Sequence, residues 1–86
     1  MKQISYQPQG TCSKLINIEA DDQQHITDLK VIGGCHGNLQ GIAALVKGMP
    51  LKEAKERLQG IRCGNKPTSC PDQISKAIAE LEKDYL

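Results

Sequence analysis

The chain has 86 residues, 24% of them charged, a formal net charge of +1, two Tyr and no Phe or Trp. That length gives room for one domain, expected over residues 1–86, whose single core buries roughly 60 to 65% of the unfolded surface. The near-neutral balance supplies neither a basic field for nucleic acid nor an acidic tail, so no nucleic-acid partner is expected.

Ile4 and Tyr6 alternate with polar neighbours and predict a short first strand, ended by Pro8 and Gly10. Ser13 to Ala20, with Leu15, Ile16 and Ile18, predicts a second strand, and Asp21-Asp22-Gln23-Gln24 a turn after it. A third strand follows from Ile26 to Gly33. Its alternation leaves the inward face open, because Ile26, Asp28, Lys30 and Ile32 oppose Thr27, Leu29 and Val31. Helical spacing then runs from about Asn38 to Lys47 through Leu39, Ile42, Ala43, Leu45 and Val46.

Gly48 stops that helix, and Pro50 opens a second one carrying Leu51, Ala54 and Leu58 on one side. Glu53 and Arg57 on its solvated face stand at i, i+4 and are able to pair. Gly60 ends it, and residues 61–71 hold too many Gly and Pro for a regular element. The last helix starts near Asp72, read as its N-cap, and buries Ile74, Ala77, Ile78 and Leu81. The order is βββααα, an α+β fold with a three-stranded antiparallel sheet covered on one face by helices. The first residues lack the apolar stretch of a signal peptide, and no later run approaches a membrane span, so a cytoplasmic location with no membrane partner is expected.

Cys12, Cys35, Cys63 and Cys70 all lie among residues that break regular structure, such as Gly33-Gly34-Cys35-His36-Gly37 and Arg62-Cys63-Gly64. In a reducing compartment such cysteines point to metal or redox chemistry more than to structural disulfides. Cys35 and Cys70 each precede a predicted helix, where free N–H groups and the helix dipole favour a thiolate, the form that binds soft metals and attacks electrophiles. The gaps of 22, 27 and 6 residues contain no C-x2-C pair. A single site therefore requires four separate loops to converge. The alternatives are four unrelated thiols, or a redox or persulfide-carrying module built on Cys35 or Cys70.

His36, beside Cys35, reads as an ordinary loop histidine, and His25 as a solvated residue of the hairpin turn. Gly37 and Gly41 read as close packing of a helix on the sheet. The turn Gly33–Asn38 also resembles a glycine-rich phosphate loop but lacks the Lys-Ser/Thr of a P-loop, which makes nucleotide binding a weak expectation. There is no Ser-His-Asp set and no carboxylate dyad, so no catalytic residue is assigned.

The run Thr68-Ser69-Cys70-Pro71-Asp72 matches the signature of the TSCPD domain, and Gly33–Leu39 and Gly60–Gly64 also resemble that family over nearly the whole chain. The resemblance implies metal chelation by Cys12, Cys35, Cys63 and Cys70, with zinc or an iron-sulfur cluster as cofactor and Gly34, His36, Gly37, Ser69 and Asp72 supporting the loops. It also implies ribonucleotide reductase as a partner and a link to DNA biosynthesis, either as an accessory or as a docking domain with weak nucleotide binding. The chain is itself far too small to be that reductase.

A more distant similarity is to the U-type iron-sulfur cluster scaffolds, in which Cys12, Cys35 and Cys70 fall at the three cysteine positions and Val46–Ala54 resembles the linking segment. Lys14 and Ser69 replace that family's Asp and His, and Cys63 is an addition. These differences imply a retained four-thiolate centre rather than a cluster handed to other proteins.

Overall fold

Strands β1 (Lys2–Tyr6), β2 (Ser13–Ala20) and β3 (Ile26–Gly33) form an antiparallel meander in the order β1-β2-β3. The computed structural model describes residues 1–11, 13–34 and 36–86, His36 by its backbone alone. Ile4, Ile18 and Leu29 stand in one cross-strand row, and Tyr6, Ile16 and Val31 in the next. These rows face the core. The rows Ser5-Asn17-Lys30 and Gln3-Glu19-Asp28 alternate with them on the other, polar face.

Two register shifts decide which side chains turn inward. Between β2 and β3 the pairing passes from Glu19–Asp28 to Ala20–Ile26, which leaves Thr27 as an extra residue. The bulge reverses the phase of β3, so that Ile26 is buried on the same side as Leu29 although the two differ in parity. This settles the inward face. The second shift lies between Ser13 and Leu15, where Lys14 is the extra residue. It brings Ser13, only 5% exposed, to the inner side with Ile16 and Ile18.

The β2–β3 turn is held by Asp21, whose carboxylate accepts the N–H groups of Gln23 and His25, each at 2.9 Å. His25 is more than a solvated turn residue, because its backbone bridges to Pro50. Ile26 donates to the Met49 carbonyl, Gly48 to Ile26, and Leu51 to Gln24, which stitches the turn to the segment between the first two helices.

Helix α1 (His36–Val46) packs on β3, α3 (Cys70–Glu82) crosses β1 and β2, and α2 (Leu51–Leu58) packs on α3. A short 3-10 turn, Lys83–Tyr85, follows α3. The largest fully buried side chains are all aliphatic: Ile16, Ile18, Ile26, Leu51, Ile74, Ile78 and Leu81. Each contributes about 1.5–3 kcal/mol by leaving water, which stands in for the missing aromatic rings. Arg57 and Glu53 pair at 2.9 Å, as the i, i+4 spacing predicts.

Three expectations need correction. Leu45 is 76% exposed, because the buried stripe of α1 is Leu39, Ile42, Ala43 and Val46, and Leu45 falls outside its i, i+3, i+4, i+7 spacing. Gly37 and Gly41 do not press against the sheet: a Cβ at either would meet nothing within 4 Å. The last helix begins at Cys70, with Ser69 as its N-cap and Asp72 in its first turn. Among the described residues, no helix is long and apolar enough to cross a membrane.

Candidate functional site

The start of α3 is fixed by a network built from the residues around Cys70. The Ser69 hydroxyl accepts the Asp72 N–H at 3.2 Å and donates to the Ile61 carbonyl at 2.6 Å, so one side chain caps the helix and grips the preceding loop. Asp72, 8% exposed, accepts the Gly60 N–H at 2.7 Å and the Thr68 hydroxyl. The Thr68 hydroxyl, then the Gly60 N–H, hold its carboxyl below the usual carboxylate range. Pro71 occupies the first turn, where its missing N–H costs nothing.

Gln73 extends the network to a third segment. Its amide donates to the Thr68 hydroxyl at 2.9 Å, and its carbonyl accepts the Gln9 N–H at 3.1 Å. Gln73 is 4% exposed, and its two bonds satisfy groups that burial would otherwise leave costly. Within the loop, Cys63 donates its N–H to the Thr68 carbonyl and accepts from Lys66, closing residues 63–68 into a tight turn. Cys63 is exposed, Cys70 is half-buried, and the two do not form a disulfide with each other.

Two further segments reach Cys70. Ser13 places its hydroxyl 2.8 Å from the Cys70 sulfur, and Thr11 lies 3.1 Å from Ser13. Gly34 adopts φ +76°, and a Cβ built there would stand 3.5 Å from the Cys70 sulfur and 3.1 Å from a Leu39 methyl. The positive φ favours glycine there, and the sulfur lies at ordinary contact distance from the Cβ position. Thus residues next to positions 12 and 35 both lie against Cys70.

Cys63 and Cys70 also line one open, mostly apolar cavity of about 530 Å³, together with Thr11, Lys66, Ser69, Pro71 and residues of α1. Gly37 is on its wall, which is a lining role and not a packing one. Among the described residues, no three His, Cys, Asp or Glu side chains come together as a metal would need. Of the expected site, Cys12, Cys35 and the His36 side chain lie outside the described residues. Cys63, Cys70, Gly34, Ser69 and Asp72 fall in one region, and Gly37 on its edge.

Ser13, Gln73 and Lys66 were not marked by the sequence pattern as site residues. Gln73 did carry a signal, since it stands four residues before Ala77 and therefore continues the buried row of α3 as a polar side chain. Ser13 carried none, because its inward turn depends on the bulge at Lys14.

Fold and site together define a small α+β domain in which Cys63 and Cys70 line one cavity at the N-terminus of the last helix. The family model of the TSCPD domain matches residues 2–82, and the chain belongs to that family. No curated protein and no solved structure gives a match.

Proposed function

We propose that Cys12, Cys35, Cys63 and Cys70 hold one metal centre, a zinc ion or an iron-sulfur cluster, in a domain that acts beside ribonucleotide reduction. The observation that carries this reading is the meeting of Ser13 and Gly34, each next to a further cysteine, at the Cys70 sulfur. Cys63 contributes a second soft donor to the same cavity wall. The donor chemistry fits: thiolates suit zinc and iron-sulfur clusters, and the Ser13 hydroxyl is placed to donate to a deprotonated Cys70 sulfur, as groups behind a ligand commonly do. Zinc would tie the four loops together, whereas a cluster would add one-electron chemistry.

Elemental analysis of untagged protein purified without oxygen or chelator tests the reading. About one zinc, or about two to four irons with sulfide, per chain is the expected result. Cys→Ser substitution at any of the four positions is expected to lower both metal content and thermal stability, because metal binding is coupled to folding. Four single variants with undiminished metal would overturn the proposal. Co-purification with a reductase large subunit tests the partner, which the family resemblance supports.

A second reading is favoured by the exposure of Cys63 on the wall that Cys70 also lines. In it the two thiols close a disulfide with each other and pass two electrons and two protons to an oxidised disulfide acceptor. Metal-free protein that forms neither a Cys63–Cys70 disulfide nor a mixed disulfide after exposure to oxidised glutathione would remove its basis.

A further inference from the structure

The outer face of α1 and the Cys63–Pro71 loop form the two walls of the 530 Å³ cavity. The exposed residues of α1 that line it include Gly37, Gly41 and Leu45, spaced four apart on one face. Leu45 leaves 76% of its surface in water, although Leu39 and Val46 on the same helix are buried. The two glycines leave the helix backbone open to close approach, since no atom lies within 4 Å of where a Cβ would be. An apolar groove of this volume is of the size that small ligands and peptide side chains occupy.

Charge distinguishes among occupants. Between Gly33 and Lys52, and again between Leu58 and Pro71, the chain has no Asp or Glu. Those two stretches carry Lys47, Arg62 and Lys66, all exposed, with Lys66 on the groove wall. None of the three cations is in an ion pair among the described residues, whereas Lys55, Arg57 and Lys83 each have a carboxylate partner. The groove is thus apolar within, and its described lining carries one cation, Lys66, and no carboxylate. Nucleic acid does not suit it, because neither Tyr6 nor Tyr85 lines it to stack a base.

We propose that this groove docks an amphipathic helical segment of a partner protein, with apolar side chains laid against Gly37, Gly41, Ile42 and Leu45 and acidic residues facing Lys66. The Gly37-x-x-x-Gly41 spacing admits the partner helix at short range, and the apolar side chains at i, i+3, i+4 and i+7 of that helix lie along the α1 wall of the cavity. The unpaired Lys66 on the wall sets the sign of the partner and speeds its approach. The inference does not depend on the metal proposal, because none of the groups that select the partner is a cysteine.

The test uses the full chain as purified and three synthetic peptides of about 16 residues. The first has Leu at helical spacing with Glu elsewhere, the second replaces Glu with Lys, and the third scrambles the first. Binding is followed by amide NMR shifts and by fluorescence anisotropy. The Glu peptide is expected to shift Gly37, Gly41, Leu45 and Lys66 and to bind about tenfold tighter than either other peptide. Gly41→Gln is expected to abolish that preference while raising the melting temperature, since it improves a helix position where a side chain has space. Loss of binding therefore cannot be confused with loss of fold. Lys66→Glu is expected to reverse the preference toward the Lys peptide. The proposal is overturned by equal binding of the scrambled peptide, by no shift at about 1 mM peptide, or by unchanged affinity in Gly41→Gln. It is likewise overturned if the chain sediments as a dimer that Leu45→Glu dissociates, which would assign the groove to a second copy.

Discussion

Replacing Asp72 by Ala tests whether the carboxylate anchors the Cys63 loop to α3. The substitution removes the acceptor for the Gly60 N–H and for the Thr68 hydroxyl, both of which bond a charged group. Such bonds contribute about 1.5–3 kcal/mol each. Gly60 is exposed and its N–H regains water, so the lower end applies to that bond. The Thr68 hydroxyl keeps its bond from Gln73, which limits its loss as well. The expected destabilisation is about 2–4 kcal/mol, against a total of roughly 4–13 kcal/mol for a domain of this size. With a urea slope of about 1 kcal/mol/M, the midpoint should fall by about 2–4 M. Asp72→Asn keeps one acceptor and should lose about half as much. Urea titration followed by far-UV circular dichroism, with chelator and reductant present throughout, separates this effect from any metal. A midpoint shift below about 0.5 M for the Ala variant at unchanged slope would refute the argument.

Glycine substitutions should split by backbone geometry. Gly41→Ala, in a helix with open space, should add about 0.5–1 kcal/mol of stability, whereas Gly34→Ala at φ +76° should lose more than about 1 kcal/mol, both read from thermal melts. Ser13→Ala removes the hydroxyl beside the Cys70 sulfur and should cost about 1 kcal/mol in metal-free protein. On the proposed metal centre it should weaken cobalt or zinc competition affinity about tenfold. Stability should also bend at both ends of the pH scale. The Asp21 carboxyl is lowered, first by the His25 N–H, so its contribution holds above the ordinary carboxylate range and is lost as pH falls through its folded value. Asp21→Asn keeps an acceptor and should flatten the decline below about pH 4. Burial, then the nearby Asp21 charge, raises the Tyr85 phenol, so its contribution is complete below about pH 10 and is lost as pH rises through the higher folded value. Tyr85→Phe should remove that alkaline decline while losing the bond to the Asp21 carbonyl.

Element order was legible because each segment carries its own period. Ile16-x-Ile18-x-Ala20 reads as a strand with one buried face, and Ile74, Ala77, Ile78 and Leu81 read as a helix stripe. Leu45 misled because apolar character marks what is able to bury, and only the position of β3 decides that Leu39 and Val46 do so while Leu45 does not. Asp72 misled for a different reason. Ser69 and Asp72 are both good caps, and the choice between them depends on the Ile61 carbonyl and the Gly60 N–H, groups that lie eight and twelve residues away.

The bulge at Lys14 shows why the site was less legible than the fold. In an unbroken β2, Ser13 would share a face with Leu15 and Asn17, away from the core, because successive side chains alternate. One extra residue in the pairing reverses that, and a hydroxyl otherwise directed to solvent reaches the Cys70 sulfur across 57 residues of sequence. Gly34 acts in the same direction at the end of β3, where its left-handed backbone, φ +76°, turns the chain beside that sulfur. Both devices act on backbone geometry and leave hydrophobic periodicity almost untouched, so a pattern that specifies the core contains little about them. Sequence identifies Cys70 as chemically able. Its neighbourhood is set by one added residue in β2 and one left-handed glycine after β3, and those two features make Cys70 the meeting point of three separate segments.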